Sequence, residues 1–172
     1  MATEKMMEKI SLEEYRARTG LLDTEAQFEL AWEYFRGRGV PKDLHMAIAL
    51  LRQLEQKLPE LARYNIAKMK CLVDDPSFAE DIRADCDAGY GPALYLVGVS
   101  SKKKGTQIGA SEAIRYFQAG SQSGHLPSKM LLWRVSKLGF WRRLASAPAY
   151  LLLVFRSIKL ASRNRNDVRV LI

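Results

Sequence analysis

At 172 residues and 48% hydrophobic side chains, the chain can bury a core of one domain's size, and its composition excludes extended disorder. Cys71 and Cys86 stand in apolar helical patterns with no Cys-x-x-Cys pair and no adjacent histidine, which argues against zinc and for two buried thiols in a reducing compartment. The net charge of +8 is unevenly spread: His125 to Ile172 holds ten Lys and Arg against one Asp, so that end points to an anionic partner.

β-Branched runs and alternating apolar patterns are scarce, so the expected class is all-α. Residues 3–19 are charged and helix-friendly, with Met6, Met7, Ile10 and Tyr15 as apolar contacts. They predict a capping helix within a segment 1–22, because a terminal repeat needs a polar outer face. This stretch has no apolar core of a secretory signal, and no run of about 20 uncharged apolar residues occurs anywhere. The expected compartment is the cytoplasm.

From Asp23 to Leu54 the pattern is that of two helices joined by a tight turn. Ala26, Leu30 and Tyr34, with Ala31 and Phe35 beside them, form one stripe of a 3.6-residue period, and Asp23 or Thr24 can cap its start. Gly37 and Gly39 end the helix, because glycine takes the left-handed conformation without a Cβ clash, and Pro41 forces a turn. Asp43 is an N-cap for a second helix along Met46, Ala47, Leu50, Leu51 and Leu54. Two helices of about fourteen residues on so short a turn should lie antiparallel.

The order Ala26-Gln27-Phe28, Leu30, Tyr34, Gly37-Arg38-Gly39-Val40-Pro41-Lys42-Asp43, Ala47 resembles the Sel1-like repeat, a helix–turn–helix unit related to the tetratricopeptide repeat. Ala26, Leu30, Gly37, Gly39, Asp43 and Ala47 carry the resemblance. It implies a short α-solenoid of antiparallel helix pairs that binds other proteins and has no chemistry of its own. Proteins it resembles serve as adaptors, often in bacterial pathways built around membranes and cell-surface polysaccharide.

On this frame the repeats fall at about 23–57, 58–90 and 91–124, with a half repeat at 125–139. The second opens at Pro59 and runs through Leu61, Ala62, Ile66, Ala67, Met69 and Leu72; Ala62 stands 36 residues after Ala26. Ser77 is expected to cap its returning helix through Phe78, Ile82 and Cys86 to Ala88, closed by Gly89, without the glycine-rich turn. The third uses Ala93, Leu94, Leu96 and Val97, a loop from Ser100 to Gly109, and a helix from Ser111 to Gly120. Gly105 and Gly109 lack the following Lys-Ser/Thr of a phosphate-binding loop, so the lysines there read as a solvated turn. Met130, Leu131, Leu132, Val135 and Leu138 make one more helix, with Trp133 and Lys137 outward.

Residues 140–172 depart from the repeat. They predict a basic, amphipathic C-terminal helix in which Pro148 takes a first-turn position, followed by a flexible tail. Trp141, Arg142, Arg143, Tyr150, Phe155, Arg156, Lys159 and Arg163 have the chemistry of an anchor on an anionic membrane surface. The same helix read as the last packed member of the solenoid stays open.

Neither His45 nor His125 has the neighbours of a catalytic triad, and no paired-carboxylate site is evident, so neither an enzyme nor a cofactor is expected. The leading reading is a non-catalytic scaffold whose protein or peptide partner meets some of Trp32, Tyr34, Tyr64, Tyr95, Tyr116 and Trp133. A peripheral membrane protein is the alternative. Nucleic-acid binding at the basic end ranks third, because no motif for it is present.

Overall fold

The computed structural model describes residues 11–19, 23–103, 105, 107–135 and 140–163, and these contain ten helices and no strand. Residues 3–10 of the expected capping helix, Lys137 and the C-terminal tail lie outside the described residues. The chain divides into two compact units, Met1–Phe78 and Ala79–Ile172.

The first unit contains α1 (Leu12–Thr19), α2 (Asp23–Arg36), α3 (Leu44–Arg52) and α4 (Pro59–Leu72). The Ser11 hydroxyl accepts the Glu14 N–H at 3.1 Å, and so caps α1. α1 packs on α2, with Tyr15 against the core. Along α2, Ala26, Leu30, Ala31 and Tyr34 are buried, the stripe expected from the sequence. Gly37 adopts φ +73°, and the N–H groups of Gly37 and Arg38 both donate to the Glu33 carbonyl, at 2.7 and 3.1 Å. A side chain at Gly37 would be strained by that φ and would press on Lys42 Cβ, 3.1 Å from the added atom.

The Asp43 N–H donates to the Tyr34 carbonyl at 2.8 Å, and its carboxylate accepts the Met46 N–H at 2.9 Å, which caps α3. At the far end, Gln27 Nε2 donates to the Leu50 carbonyl at 2.8 Å and to Gln53 Oε1 at 2.9 Å. The start of α2 therefore lies beside the end of α3, and the pair is antiparallel. α3 has nine residues, fewer than expected. Its end tightens into bonds such as Leu54 N–H to the Leu51 carbonyl, 3.0 Å, which carry Leu54 into the core and bring Pro59 to the start of α4. Leu30, Leu51 and Leu54 are almost completely enclosed, and burial of each contributes roughly 2 kcal/mol.

α4 closes without a glycine. Asp74 takes φ +57°, its N–H donates to the Cys71 carbonyl and the Asp75 N–H donates to that of Lys70. The next cap also differs from expectation. It is the Asp75 carboxylate, accepting the Ser77 N–H at 2.9 Å, that turns the chain. Hydrogen bonds from Ser77 hold the Asp75 carboxyl below the usual carboxylate range.

One helix is expected from Ser77 to Ala88; two are found, α5 (Phe78–Asp81) and α6 (Arg83–Asp87). The break is at Ile82 (φ −114°, ψ 7°), whose side chain is completely buried.

The second unit continues through Gly89 into α7 (Gly91–Lys103), α8 (Gln107–Gln122), α9 (Leu126–Val135) and α10 (Phe140–Arg163). α7 and α8 touch at Gly98, where a Cβ would come within 2.6 Å of the fully buried Phe117 ring. Gly91, at the start of α7, lies beside Gly120, near the end of α8, so this pair too is antiparallel. Both helices run into the expected loop from Ser100 to Gly109: α7 continues to Lys103, α8 begins at Gln107, and Ser101 and Gly109 are buried.

α9 packs against α8 and α10. The start of α10 is corrected as well: it begins at Phe140, and Pro148 sits inside it, not in its first turn. The helix there forgoes one N–H, and the proline is on its exposed side.

Candidate functional site

The six aromatic candidates separate by burial. Tyr34 and Tyr64 are each 1% exposed and belong to the core, so they line no open surface. Tyr95 is half-buried among its own helices, tilted on Phe117 at 6.1 Å and edge-on to His125 at 5.4 Å. Burial pushes its phenol above the ordinary tyrosine range, opposed by Arg134. Trp133 does not stand outward. It stacks on Tyr150 at 4.2 Å and 18°, joining α9 to α10, so Tyr150 also spends its ring on packing. Trp32 and Tyr116 remain half-buried.

Trp32 is the most constrained of these. Its indole N–H donates to Asn65 Oδ1 at 3.2 Å, and Asn65 in turn donates to the Leu61 carbonyl at 2.8 Å. Phe35 meets the ring edge-on at 5.4 Å. The guanidinium of Arg36, one turn along α2, is 4.8 Å from the ring centroid. The ammonium of Lys68 on α4 is 5.5 Å from that centroid and 5.8 Å from that of Tyr64. Burial, and next the charge of Arg36, push the Lys68 ammonium below the ordinary lysine range.

Arg36, Asn65 and Lys68 were not among the residues expected at a site. A signal existed: Lys68 stands 36 residues after Trp32, the same spacing that relates Ala62 to Ala26, so the two share one register position in successive repeats. Stacked repeats bring such positions together.

In α10, Phe155, Arg156 and Lys159 are exposed, while the side chains of Trp141, Arg142, Arg143 and Arg163 lie outside the described residues. Leu151, Leu152, Phe155 and Ile158 are between 54% and 70% exposed, a surface too apolar to be ordinary for one short stretch of helix. The opposite face, with Tyr150, Leu153, Val154 and Ser157, is the one turned to α9, where the Ser157 hydroxyl lies 3.7 Å from Met130 Sδ. Among the described residues, no helix is long and apolar enough to cross a membrane.

Chemically reactive groups are held quiet. His125 is buried at the start of α9, its Nδ1 2.8 Å from the Ser128 hydroxyl, and His45 is exposed at the start of α3. Cys71 is buried as expected, but Cys86 only half so. Burial, then Asp85 and Asp87, push the Cys86 thiol up to about 11, so it is protonated and a poor nucleophile at neutral pH. Among the described residues, no group of three or more His, Cys, Asp or Glu is placed to hold a metal ion.

The helix pair α2–α3 and the stretch from Gly89 through α7 and α8 to His125 are also where a known family's sequence pattern recurs. The Sel1 repeat model matches residues 24–54 and 89–125. No curated protein and no solved structure matches the chain. Sel1 repeats generally mediate protein–protein interaction and are typically non-catalytic. The chain therefore carries two Sel1 repeats inside an all-α architecture of helix pairs, the fold class that such repeats build.

Proposed function

We propose that the chain is a non-catalytic adaptor that takes a protein or peptide partner on the surface around Trp32. The observation that carries this reading is the indole itself, left half-open although it is fixed by Asn65, Phe35 and two cations. A large, pre-positioned aromatic ring is the side chain that most often dominates an interface, and truncating one costs about 2 kcal/mol of binding or more. Affinity purification with the full chain and with Trp32→Ala tests it. Loss of the recovered partners by about 30-fold is expected on that scale. Unchanged recovery by a folded variant would remove Trp32 from the interface.

A second reading rests on α10. The exposed Leu151, Leu152, Phe155 and Ile158 lie beside the exposed Arg156 and Lys159, a combination suited to an anionic membrane surface in the cytoplasm. Flotation with vesicles containing phosphatidylserine should recover the chain, and Phe155→Glu with Leu152→Glu should abolish recovery. Equal flotation of the double variant would rule this docking mode out.

A further inference from the structure

Three parallel rows of side chains run along α10, each with the i, i+4, i+7 spacing that keeps residues on one line of a helix. Tyr150, Val154 and Ser157 form the row turned to α9, where the Tyr150 ring stacks on Trp133. Leu151, Phe155 and Ile158, one residue on, form an apolar row in which each side chain is more than half exposed. Leu152, Arg156 and Lys159 make the third row, all of them exposed and two of them cationic. Apolar side chains so open over about two turns are a docking surface.

The charges select what covers it. α10 carries five Lys and Arg and no Asp or Glu. Two copies of the chain paired along this row would bring only like charges together, in either direction, and that opposes self-association. The covering surface is therefore acidic. Its shape follows from the rows. Anchors at i, i+4 and i+7 are the spacing with which one helix packs along another. The cations flank these anchors on one edge, and the other edge is the row against α9. A bilayer meets both edges of a helix alike, whereas a partner helix carries acids along one edge and apolar side chains along the next.

We infer that this face of α10 receives an amphipathic helix of a partner protein, its apolar side on Leu151, Phe155 and Ile158 and its aspartates or glutamates beside Arg156 and Lys159. The inference rests on the reading of the chain as an interaction module. The bilayer of the second reading is the competing occupant.

The test uses the full chain and two labelled, blocked model peptides with leucine at the a and d positions of every heptad. One carries glutamate at the e and g positions and the other lysine, each used where it is monomeric alone. By fluorescence anisotropy the glutamate peptide should bind saturably, and the lysine peptide about tenfold more weakly or worse. Arg156→Glu with Lys159→Glu should reverse that preference, and Phe155→Ala should weaken the glutamate peptide about tenfold. An unchanged preference in the charge-reversed chain, or undiminished binding by Phe155→Ala, would overturn the docking. So would flotation on phosphatidylserine vesicles by a chain that takes up neither peptide, which would give the face to the bilayer. Failure of the glutamate peptide, with partner capture still dependent on Trp32, would overturn it too but leave the interaction module standing.

Discussion

Trp32 and Trp133 stand in similar sequence surroundings, each on an apolar helix with an arginine within one turn, yet the structure uses them differently. Trp133 lies flat against Tyr150 and closes the seam between α9 and α10. Trp32 gives its indole N–H to Asn65, meets Phe35 at right angles and has two cations over its ring. The contrast separates stability from recognition. A ring met face-on by another ring holds helices together; a ring met by charges is a surface with an electrostatic preference. The sharpest way to break this distinction is Trp133→Ala, which should cost about 2–3 kcal/mol, somewhat less than a fully buried tryptophan, because Trp133 is only half-buried. At this chain length that is a fall in melting temperature of roughly 5–10 °C. Trp32→Ala should move the melt less and partner capture more. If the two variants show the same balance of melt and capture, the comparison is wrong.

A smaller effect isolates the hairpin that carries Trp32. Asp43→Ala removes the acceptor of the Met46 N–H at the start of α3, and an N-cap of this kind is worth about 1 kcal/mol. Asp43→Asn, which keeps an oxygen there, should recover most of it in a denaturant titration. Equal loss in both variants would show that the charge of Asp43, and not the cap, is what matters.

Much of the first unit was legible because its instructions are local. Gly37 and Asp43 each act within a few residues: one adopts a positive φ and one accepts an N–H three positions on. The 3.6-residue stripe of Ala26, Leu30 and Tyr34 likewise needs only the helix period. The places that escaped are those decided by distant packing. Ile82 fits an uninterrupted helical stripe, yet the helix breaks there around its buried side chain. Pro148 argues for a helix start by its own chemistry, but α10 carries it on the exposed side and continues. At the candidate site, Trp32 stands out in the sequence as a large aromatic. Lys68 does not, since nothing within α4 marks it; only the repeat register sets it beside the indole.

The smallest expected effect tests whether Lys68 is present for stability at all. Its folded-state pKa is lowered, so in the pH range just below the ordinary lysine value the unfolded chain holds more protons than the folded one. Stability then rises with pH through that range, and below it the full cost of keeping Lys68 charged beside Arg36 is present. Lys68→Gln removes this titration. The difference in unfolding free energy between parent and variant should therefore be within about 0.5 kcal/mol at pH 7 and should shift in favour of the parent as pH climbs toward 10. Taking the difference cancels Tyr15 and Tyr95, which are common to both chains. A variant much less stable at pH 7 would mean that Lys68 packs for the fold, as Trp133 does, and Trp32 would lose the feature that sets it apart. A variant of equal stability that no longer captures the partners of the parent chain would place the lysine wholly on the side of recognition.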